Sequence, residues 1–358
     1  MGTRGGLSAA DLSSWLFGAF FVNGLISIAF CWIYRQPLVL FWSIPGTVLV
    51  GPALGHLSFP EVIGAFLASG ALVLALGLSG WVRRAMEAVP MPIVMGMVAG
   101  VFLRFGLDLV GALHREFWIA APMTAVFLTV TALPALARRL PPLIGAMVVG
   151  ILVIAVLGGF HPEVGGGLAR PVFHAPVFSW AAMIELVVPL AVTVLVVQNG
   201  QGIAVLRAAG HRPPIDAITV ACGAGSLLTA FLGTVSTCLT GPVNAIISGS
   251  GDERRQYTAG IAVGALGCLF GLLSPTVTRL MLATPGAFIA TLAGLAMLRV
   301  LQSAFAIAFR DRCALGALVA FLVTVADIGL AGIGAPFWGL LFGVAVTLLL
   351  ERGDLAVR

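Results

Sequence analysis

The chain has 358 residues, of which 60% are hydrophobic and 9% are charged, and its formal net charge is +5. A soluble domain carries about a quarter charged residues, so this chain has too little polar surface to cover a water-exposed globule. The composition excludes a soluble protein and predicts an all-α polytopic membrane protein embedded in the lipid bilayer. A pI of 9.4 does not indicate nucleic-acid binding, because the basic residues, all arginines, lie mostly at the ends of apolar segments.

Eleven apolar stretches have a length and composition suited to helices in a hydrocarbon core, which takes about 20 residues to cross. They are Leu12–Ile33, Glu61–Val82, Met91–Gly111, Trp118–Ala137, Leu143–Phe160, Ala182–Val197, Ile215–Leu232, Thr258–Leu273, Gly286–Phe309, Ala314–Leu330 and Pro336–Leu350. Two further segments, 38–56 and 233–249, are apolar but interrupted by Pro and Gly, which makes thirteen segments in all. At the start of the second stretch, Ser58-Phe59-Pro60-Glu61 matches a helix capping box.

The arginines divide unevenly between the two sides of this map. One side holds residues 35, 83, 84, 138, 139, 207, 212, 254, 255, 310, 312, 352 and 358, and the other holds 4, 115, 170 and 279. The positive-inside rule makes the arginine-rich side cytoplasmic. We therefore expect a cytoplasmic C-terminus and an outside N-terminus.

The first interrupted segment contains "LFWSIPGTVLVG" and the second contains "GTVSTCLTGPVNAII". Each reads as a short extended piece feeding a helix, about Trp42 to Pro45 into 46–55 and about Val235 to Leu239 into 240–248. Non-helical backbone at membrane depth must face protein or a water-filled cavity. Small and hydroxyl residues lie at both junctions, namely Ser43, Pro45, Gly46 and Thr47 in one segment and Ser236, Thr237, Thr240 and Gly241 in the other.

A matched pair of interrupted segments in two halves of a chain is typical of a transporter site built on an inverted repeat. The free N–H groups of the half-helix N-termini suit an anion. The alternative is that Pro and Gly only kink two ordinary membrane helices. Similarly, the adjacent amides Gln198 and Asn199 either bind a carboxylate at membrane depth or cap a helix end.

Other polar residues give weaker signals. Asp108 is predicted either to pair with Arg104, four residues earlier, or to carry protons. Asp327 is either a proton site or a solvated helix end. The five cysteines and five histidines show no metal-ligand or catalytic spacing, so we predict no metal, no cofactor and no enzymatic activity.

Four stretches of the chain resemble the benzoate/proton symporters (BenE-like proteins) of bacterial inner membranes. They are "IYRQPLVLFWSIPGTVLV", "GMVAGVFLRFGLDLV", "VVQNGQGIAVLRAAG" and "APFWGLLFG", and the similarity extends from about Leu7 to the C-terminus. That family is similar in fold to the uracil/xanthine permeases (UraA-like) and the sulfate-type (SulP-type) anion transporters.

The resemblance implies a fold of two inverted repeats of seven segments, forming a core domain and a gate domain. Here the core halves would be 7–82 and 180–273, and the gate halves 88–162 and 276–350. The two interrupted segments would be the third and tenth, and Gln198 would lie on the eighth. The family's first helix has no counterpart, so we expect a truncation or a mis-assigned start. The resemblance also leaves a homodimer open.

By resemblance, the chain imports benzoate or a related aromatic carboxylate with protons. The carboxylate would lie between Gly46-Thr47 and Thr240-Gly241, assisted by Gln198 and Asn199. Phe41 and Trp42 either line the pocket for the ring or pack against lipid. The alternatives are a nucleobase or inorganic-anion transporter of the same fold, or a passive anion channel.

Overall fold

The computed structural model describes residues 7–133, 137, 140–157, 167–249, 251–310, 312–330 and 333–355. The described chain is mostly helical, as predicted. Its α-helices span Ala9–Phe17, Asn23–Tyr34, Ile44–Ala53, Phe59–Ser79, Trp81–Ala88, Met91–Arg115, Phe117–Ala132, Pro142–Val156, Trp180–Ala182, Val188–Val192, Gly200–Ala208, Ile215–Ala230, Gly241–Ser248, Gln256–Leu272, Ser274–Leu282, Gly286–Ala308, Ala314–Ala326, Ala335–Leu350 and Arg352–Leu355.

Wider π-helical turns join some of these helices, and a 3₁₀ turn covers Glu253–Arg255. The π-helical turns are Gly18–Val22, Met183–Val187 and Thr193–Asn199. They make continuous helices of Ala10–Tyr34 and Trp180–Ala208. π-helical turns are rare and occur often at functional sites, so their presence marks these two helices as candidates to contribute to one.

Each of the eleven predicted continuous spans overlaps a described helix. Helices long and apolar enough to cross a membrane are Ala10–Tyr34, Phe59–Ser79, Met91–Arg115, Trp180–Ala208 and Gly286–Ala308. The number of membrane crossings remains a prediction. The arginines at 4, 138, 139 and 358 lie outside the described residues.

The predicted capping box is confirmed at the start of helix Phe59–Ser79. The Ser58 backbone N–H and hydroxyl both donate to Glu61 Oε2, at 2.8 and 2.7 Å. Pro60 lies in the first turn, where its missing N–H leaves no intrahelical bond unmade.

The chain divides into two compact units. The first comprises residues 1–100, 168–274 and 304–358, and the second comprises 101–167 and 275–303. In the second unit, helices Phe117–Ala132 and Pro142–Val156 pack together around a buried apolar cluster that includes Met123, Ile154 and Leu295. The division into core and gate halves remains a prediction.

Close helix packing in the first unit depends on glycine. A Cβ placed on Gly223 would lie 2.5 Å from the Leu74 Cα, so only glycine lets helices Ile215–Ala230 and Phe59–Ser79 approach this closely. Small residues at helix contacts are the usual solution inside a membrane, where backbones must approach for dispersion contacts to form.

A two-stranded antiparallel sheet lies in the first unit and joins the two interrupted segments. Strand β1 is Leu40–Trp42 and strand β2 is Thr237–Leu239. Leu40 faces Leu239, and Trp42 faces Thr237. The first half-helix is Ile44–Ala53 and the second half-helix is Gly241–Ser248. The predicted arrangement of strand plus half-helix is therefore confirmed in both segments, and the alternative, a kink in an ordinary continuous helix, is wrong.

The predicted boundaries of the first segment are slightly wrong. Strand β1 ends at Trp42, and the half-helix begins at Ile44 rather than Gly46. Pro45 is therefore inside the first helical turn, where its fixed φ favours a helix and its missing N–H is harmless. Sequence reasoning placed Pro45 in the extended piece instead.

Candidate functional site

The pairing of β1 with β2 brings the predicted junction residues together. The Ser43 N–H donates to the Ser236 carbonyl at 2.9 Å, directly beyond the last strand pair. Both half-helices start at this sheet, and each has proline in its first turn, Pro45 and Pro242. Two helix N-termini, each carrying a partial positive charge, therefore lie next to one small sheet.

The second half-helix holds the first strand through Asn244 and Thr240. The Asn244 amide accepts from the Val39 N–H and donates to the Val39 carbonyl, both at 3.0 Å. The Thr240 hydroxyl accepts from the Phe41 N–H at 3.0 Å. Thr240, predicted as a binding residue, thus ties strand β1 to the second half-helix. Asn244 was not predicted, although it is an amide in the same apolar motif.

Helix Asn23–Tyr34 supplies two more supports. The Ser27 hydroxyl accepts from the Leu40 N–H at 2.9 Å and lies 2.8 Å from the Leu40 carbonyl. The Thr237 hydroxyl donates to Asn23 Oδ1 at 2.9 Å. Both Asn23 and Ser27 are fully buried. Sequence reasoning missed them, although each is a polar residue within an apolar span.

Asn199 lies at the end of the π-helical turn and positions strand β2. Its Oδ1 accepts from the Leu239 N–H at 2.8 Å, and its amide and the Cys222 thiol lie within hydrogen-bonding distance, at 3.5 and 3.6 Å. These contacts occupy both the oxygen and the nitrogen of the side-chain amide. The structure therefore gives Asn199 a supporting contact; the predicted contact with substrate remains a prediction.

The hydroxyl groups of the first junction form hydrogen bonds with the backbone of the same segment. Ser43 Oγ accepts from the Gly46 N–H at 3.1 Å and caps the first half-helix. Thr47 donates to the Ser43 carbonyl at 3.0 Å. Ser43 also lies 3.5 Å from the Thr193 hydroxyl on the π-helical turn. The capping bond occupies one of the N–H groups that an anion would need.

Three buried polar atoms near the junctions have no hydrogen-bond partner. They are Gln198 Oε1, Gln201 Nε2 and Ser236 Oγ, and the three residues are only 4%, 2% and 1% exposed. An unpaired polar atom away from water costs about 1 to 3 kcal/mol. A polar ligand bound at the junctions would complete their hydrogen bonding. Gln201 was not predicted, although it follows Gln198 by three residues.

Gln201 lies directly against the start of the second half-helix. A Cβ placed on Gly241 would be 2.5 Å from Gln201 Oε1 and 2.7 Å from its Cδ. Gly241, a predicted site residue, is thus the position that lets the amide approach the helix N-terminus. The turn Thr193–Asn199 packs against β2 and the first half-helix.

Aromatic rings cluster beside strand β1. The Phe20 ring centroid lies 5.5 Å from that of Phe41, 4.6 Å from that of Trp42 and 4.2 Å from that of Phe270. Phe41 is 5% exposed, so it packs inside the protein rather than against lipid. Trp42 is half-buried.

An apolar pocket of about 260 Å³ lies along helix Trp180–Ala208. Helices Trp81–Ala88 and Met91–Arg115 form its other walls, and it is lined by Val82, Met86, Met91, Val94, Leu195, Val196, Ile203, Ala204, Arg207 and Leu340, among others. A dry apolar cavity of about 150 Å³ in a protein core holds benzene, so this pocket has room for an aromatic ring.

The candidate proton carriers are exposed. Asp108 lies on the surface of helix Met91–Arg115, and Asp327 ends helix Ala314–Ala326 in a left-handed conformation. Among the described residues, no Asp, Glu or Arg side chain is buried. No described group of three potential metal ligands occurs either. The site is therefore polar but uncharged.

Sequence comparisons identify the family to which the chain is similar. The family model "BenE: Benzoate membrane transport protein" matches residues 1–349. The chain is 31% identical to "Inner membrane protein YdcO" of Escherichia coli over 97% of this chain and 90% of that protein. It is 28% identical to "Benzoate membrane transport protein" of Acinetobacter baylyi over 97% and 88% of the two chains.

Solved structures share the fold. The transmembrane domain of the cyanobacterial bicarbonate transporter BicA matches with a TM-score of 0.55 at 16% identity, over 96% of this chain and 91% of that one. SLC26A9 matches with a TM-score of 0.54 at 13% identity over 95% of this chain, which spans 64% of that protein. These likenesses confirm the predicted transporter fold of the UraA-like, SulP-type kind. The chain belongs to the BenE benzoate membrane transport protein family and is a membrane transporter.

Proposed function

We propose that this protein imports benzoate or a related aromatic monocarboxylate, together with protons, across a bacterial inner membrane. The carboxyl group would lie where the two half-helices start, within reach of Gln198. The buried Gln198 carboxamide makes no hydrogen bond within the described structure, so its N–H groups are free to donate to a carboxylate, and it lies on a helix that packs against both strand β2 and the first half-helix; this is the observation that carries the proposal.

Two further observations support the substrate class. No described acidic side chain is buried near the junctions to repel a carboxylate. The relatives' names give the substrate benzoate and the inner membrane as the location.

A thermal-shift screen of the purified protein tests the substrate class. We expect benzoate and other aromatic monocarboxylates to raise the melting temperature, because a ligand that binds only the folded state stabilises it. Uracil and sulfate serve as the comparison ligands. Stabilisation by either of them, with none by benzoate, would favour the nucleobase or inorganic-anion alternative.

Accumulation of benzoate against its concentration gradient distinguishes a proton-coupled transporter from a passive channel. A channel equilibrates benzoate down its own gradient, whereas coupling to protons concentrates it. Saturable uptake that exceeds the outside concentration excludes the channel.

A further inference from the structure

The apolar pocket along helix Trp180–Ala208 has a charged end that the proposed site does not use. Residues three or four apart share a face of a helix, and one such stripe of this helix lines the pocket: Val196, Gly200, Ile203 and Arg207. Gln201 precedes Ile203 by two residues, so it points to a nearly opposite side of the helix. The helix therefore borders a second cavity with a separate stripe, which is apolar and ends in an arginine.

A short amphipathic helix, Trp81–Ala88, forms the facing wall of this pocket. Its apolar side chains Val82 and Met86 line the cavity, whereas Arg83 and Glu87 are exposed. A short helix with one apolar and one charged face is typical of the membrane–water interface. The pocket therefore lies at the arginine-rich side of the chain, which is predicted to be cytoplasmic.

Arg207 is held only loosely by its own ion pair. Its guanidinium is 3.9 Å from Glu87 Oε1, and the two side chains are 35% and 54% exposed. An ion pair this long and this exposed contributes little to stability. A ligand carboxylate can therefore replace Glu87, because its two oxygens accept two parallel N–H bonds from a guanidinium at a shorter distance.

The dimensions of the pocket suit one aromatic ring with a carboxylate attached. Ile203 and Arg207 are four residues apart, about 6 Å along the helix, which places an apolar contact and a cation one turn from each other. A cavity of about 150 Å³ holds benzene, so the volume of about 260 Å³ here holds a substituted ring.

Arg207 also lines a polar cavity of about 540 Å³. The charged and titratable residues of that lining are Arg83, Glu87, Arg207, His211, Arg212 and Asp216. Within this set, Arg83 is 3.2 Å from Asp216. Three arginines and two carboxylates leave an excess of positive charge, which attracts an anion. Arg207 thus lies between an apolar cavity and a positively charged one, the combination that an amphipathic anion fits.

We propose that the apolar pocket is a second binding site for the transported aromatic carboxylate, with its carboxylate on Arg207 and its ring against helix Trp81–Ala88. This rests on the proposed function and adds a release site, where substrate rests after it leaves the half-helix junctions. The carboxylate displaces Glu87 from Arg207 when it binds, and Glu87 returns when the substrate departs.

Photolabelling of the purified full chain with 4-azidobenzoate tests the proposal. Light releases N₂ from the azide, and the resulting nitrene inserts into a neighbouring C–H or N–H bond, so mass spectrometry of peptides identifies the residues beside the ring. We expect labelled peptides from the apolar pocket, around Met86, Met91 and Ile203, as well as from the half-helix junctions. An excess of benzoate should suppress both sets.

A variant that fills the pocket sharpens the test. Ala85 lines the pocket and is itself exposed, so Ala85→Phe places a ring in the cavity without displacing the buried core. We expect labelling of the pocket to disappear while labelling of the junctions stays. Ala88→Phe is the matched control, since Ala88 is an exposed alanine of the same helix outside the described lining.

A second variant removes the charge. Arg207→Gln should weaken labelling of the pocket about tenfold, the effect of losing one charge-assisted contact, and should leave the junctions labelled. Arg84→Gln is the control, since Arg84 is exposed and is not among the described lining residues of either cavity. Equal labelling of the pocket in the two arginine variants would contradict a carboxylate on Arg207.

The outcomes separate this proposal from the proposed function. Labelling confined to the junctions would overturn the release site and leave benzoate transport intact. Labelling of the pocket that benzoate leaves unchanged, but that added phosphatidylglycerol suppresses, would assign the pocket to an anionic lipid and also overturn it. If benzoate suppresses no labelling anywhere in the chain, the proposed function fails instead.

Discussion

At the scale of single residues, the predicted site contains two kinds of polar side chain: those that hydrogen-bond the strands and those that keep an atom without a partner. Thr237, Thr240 and Asn199 hold the strands through their side chains, whereas Gln198 and Ser236 keep an unpartnered atom. Sequence reasoning identified polar residues at the correct junctions. It could not assign these roles, because a buried hydroxyl looks the same in a sequence whether or not the fold supplies its partner.

Gln198→Ala tests whether the unpartnered Gln198 side chain binds substrate. Removing the amide should weaken substrate binding about tenfold, the effect of one buried hydrogen bond, without changing the fold. Equilibrium binding of benzoate to the purified variant measures this, with Gln302→Ala, at an exposed glutamine, as the control. Unchanged affinity would remove Gln198 from the site.

Asn244→Ala tests whether the Asn244 side chain stabilises strand β1. Its amide bonds the Val39 N–H and carbonyl and the Thr240 carbonyl, and no water replaces them at membrane depth. We expect a loss of about 2 kcal/mol or more in the free energy of unfolding, visible as a lower melting temperature in detergent. A melting temperature equal to that of the Gln302→Ala control would contradict this supporting role.

At the scale of elements, the interrupted segments were predictable because proline and glycine disturb an apolar run in two corresponding places. The strand pairing was not predictable, since register depends on which residues of a distant segment lie opposite. The three-residue strands also carry no alternation pattern of their own. The π-helical turns were missed as well, because their sequences do not differ from those of ordinary apolar helices.

Gly223→Ala tests the packing of two elements. The added methyl group would meet the Leu74 backbone, and backbone atoms do not yield as a flexible side chain would. We expect a destabilisation of about 1 to 3 kcal/mol, the usual effect of overpacking. Gly286→Ala is the matched control, since nothing lies within 4 Å of the added atom there. Equal melting temperatures for the two variants would show that the two helices separate at little cost.

At the scale of the whole molecule, composition alone predicted a helical membrane protein, and the arginine asymmetry predicts its orientation. Reporter fusions test that orientation: a fluorescent protein at the C-terminus should fold in the cytoplasm and fluoresce, whereas alkaline phosphatase there should be inactive. Active phosphatase would reverse the predicted topology.

The whole-molecule claim that matters most is proton-coupled import of an aromatic carboxylate. Its direct test is uptake of labelled benzoate into proteoliposomes whose interior is more alkaline than the medium. Proton-coupled import predicts saturable accumulation above the outside concentration that disappears when a protonophore collapses the pH gradient. Protein-free liposomes give the background, because benzoic acid itself crosses lipid. Uptake no greater than in those liposomes, with or without the gradient, would contradict proton-coupled import by this protein.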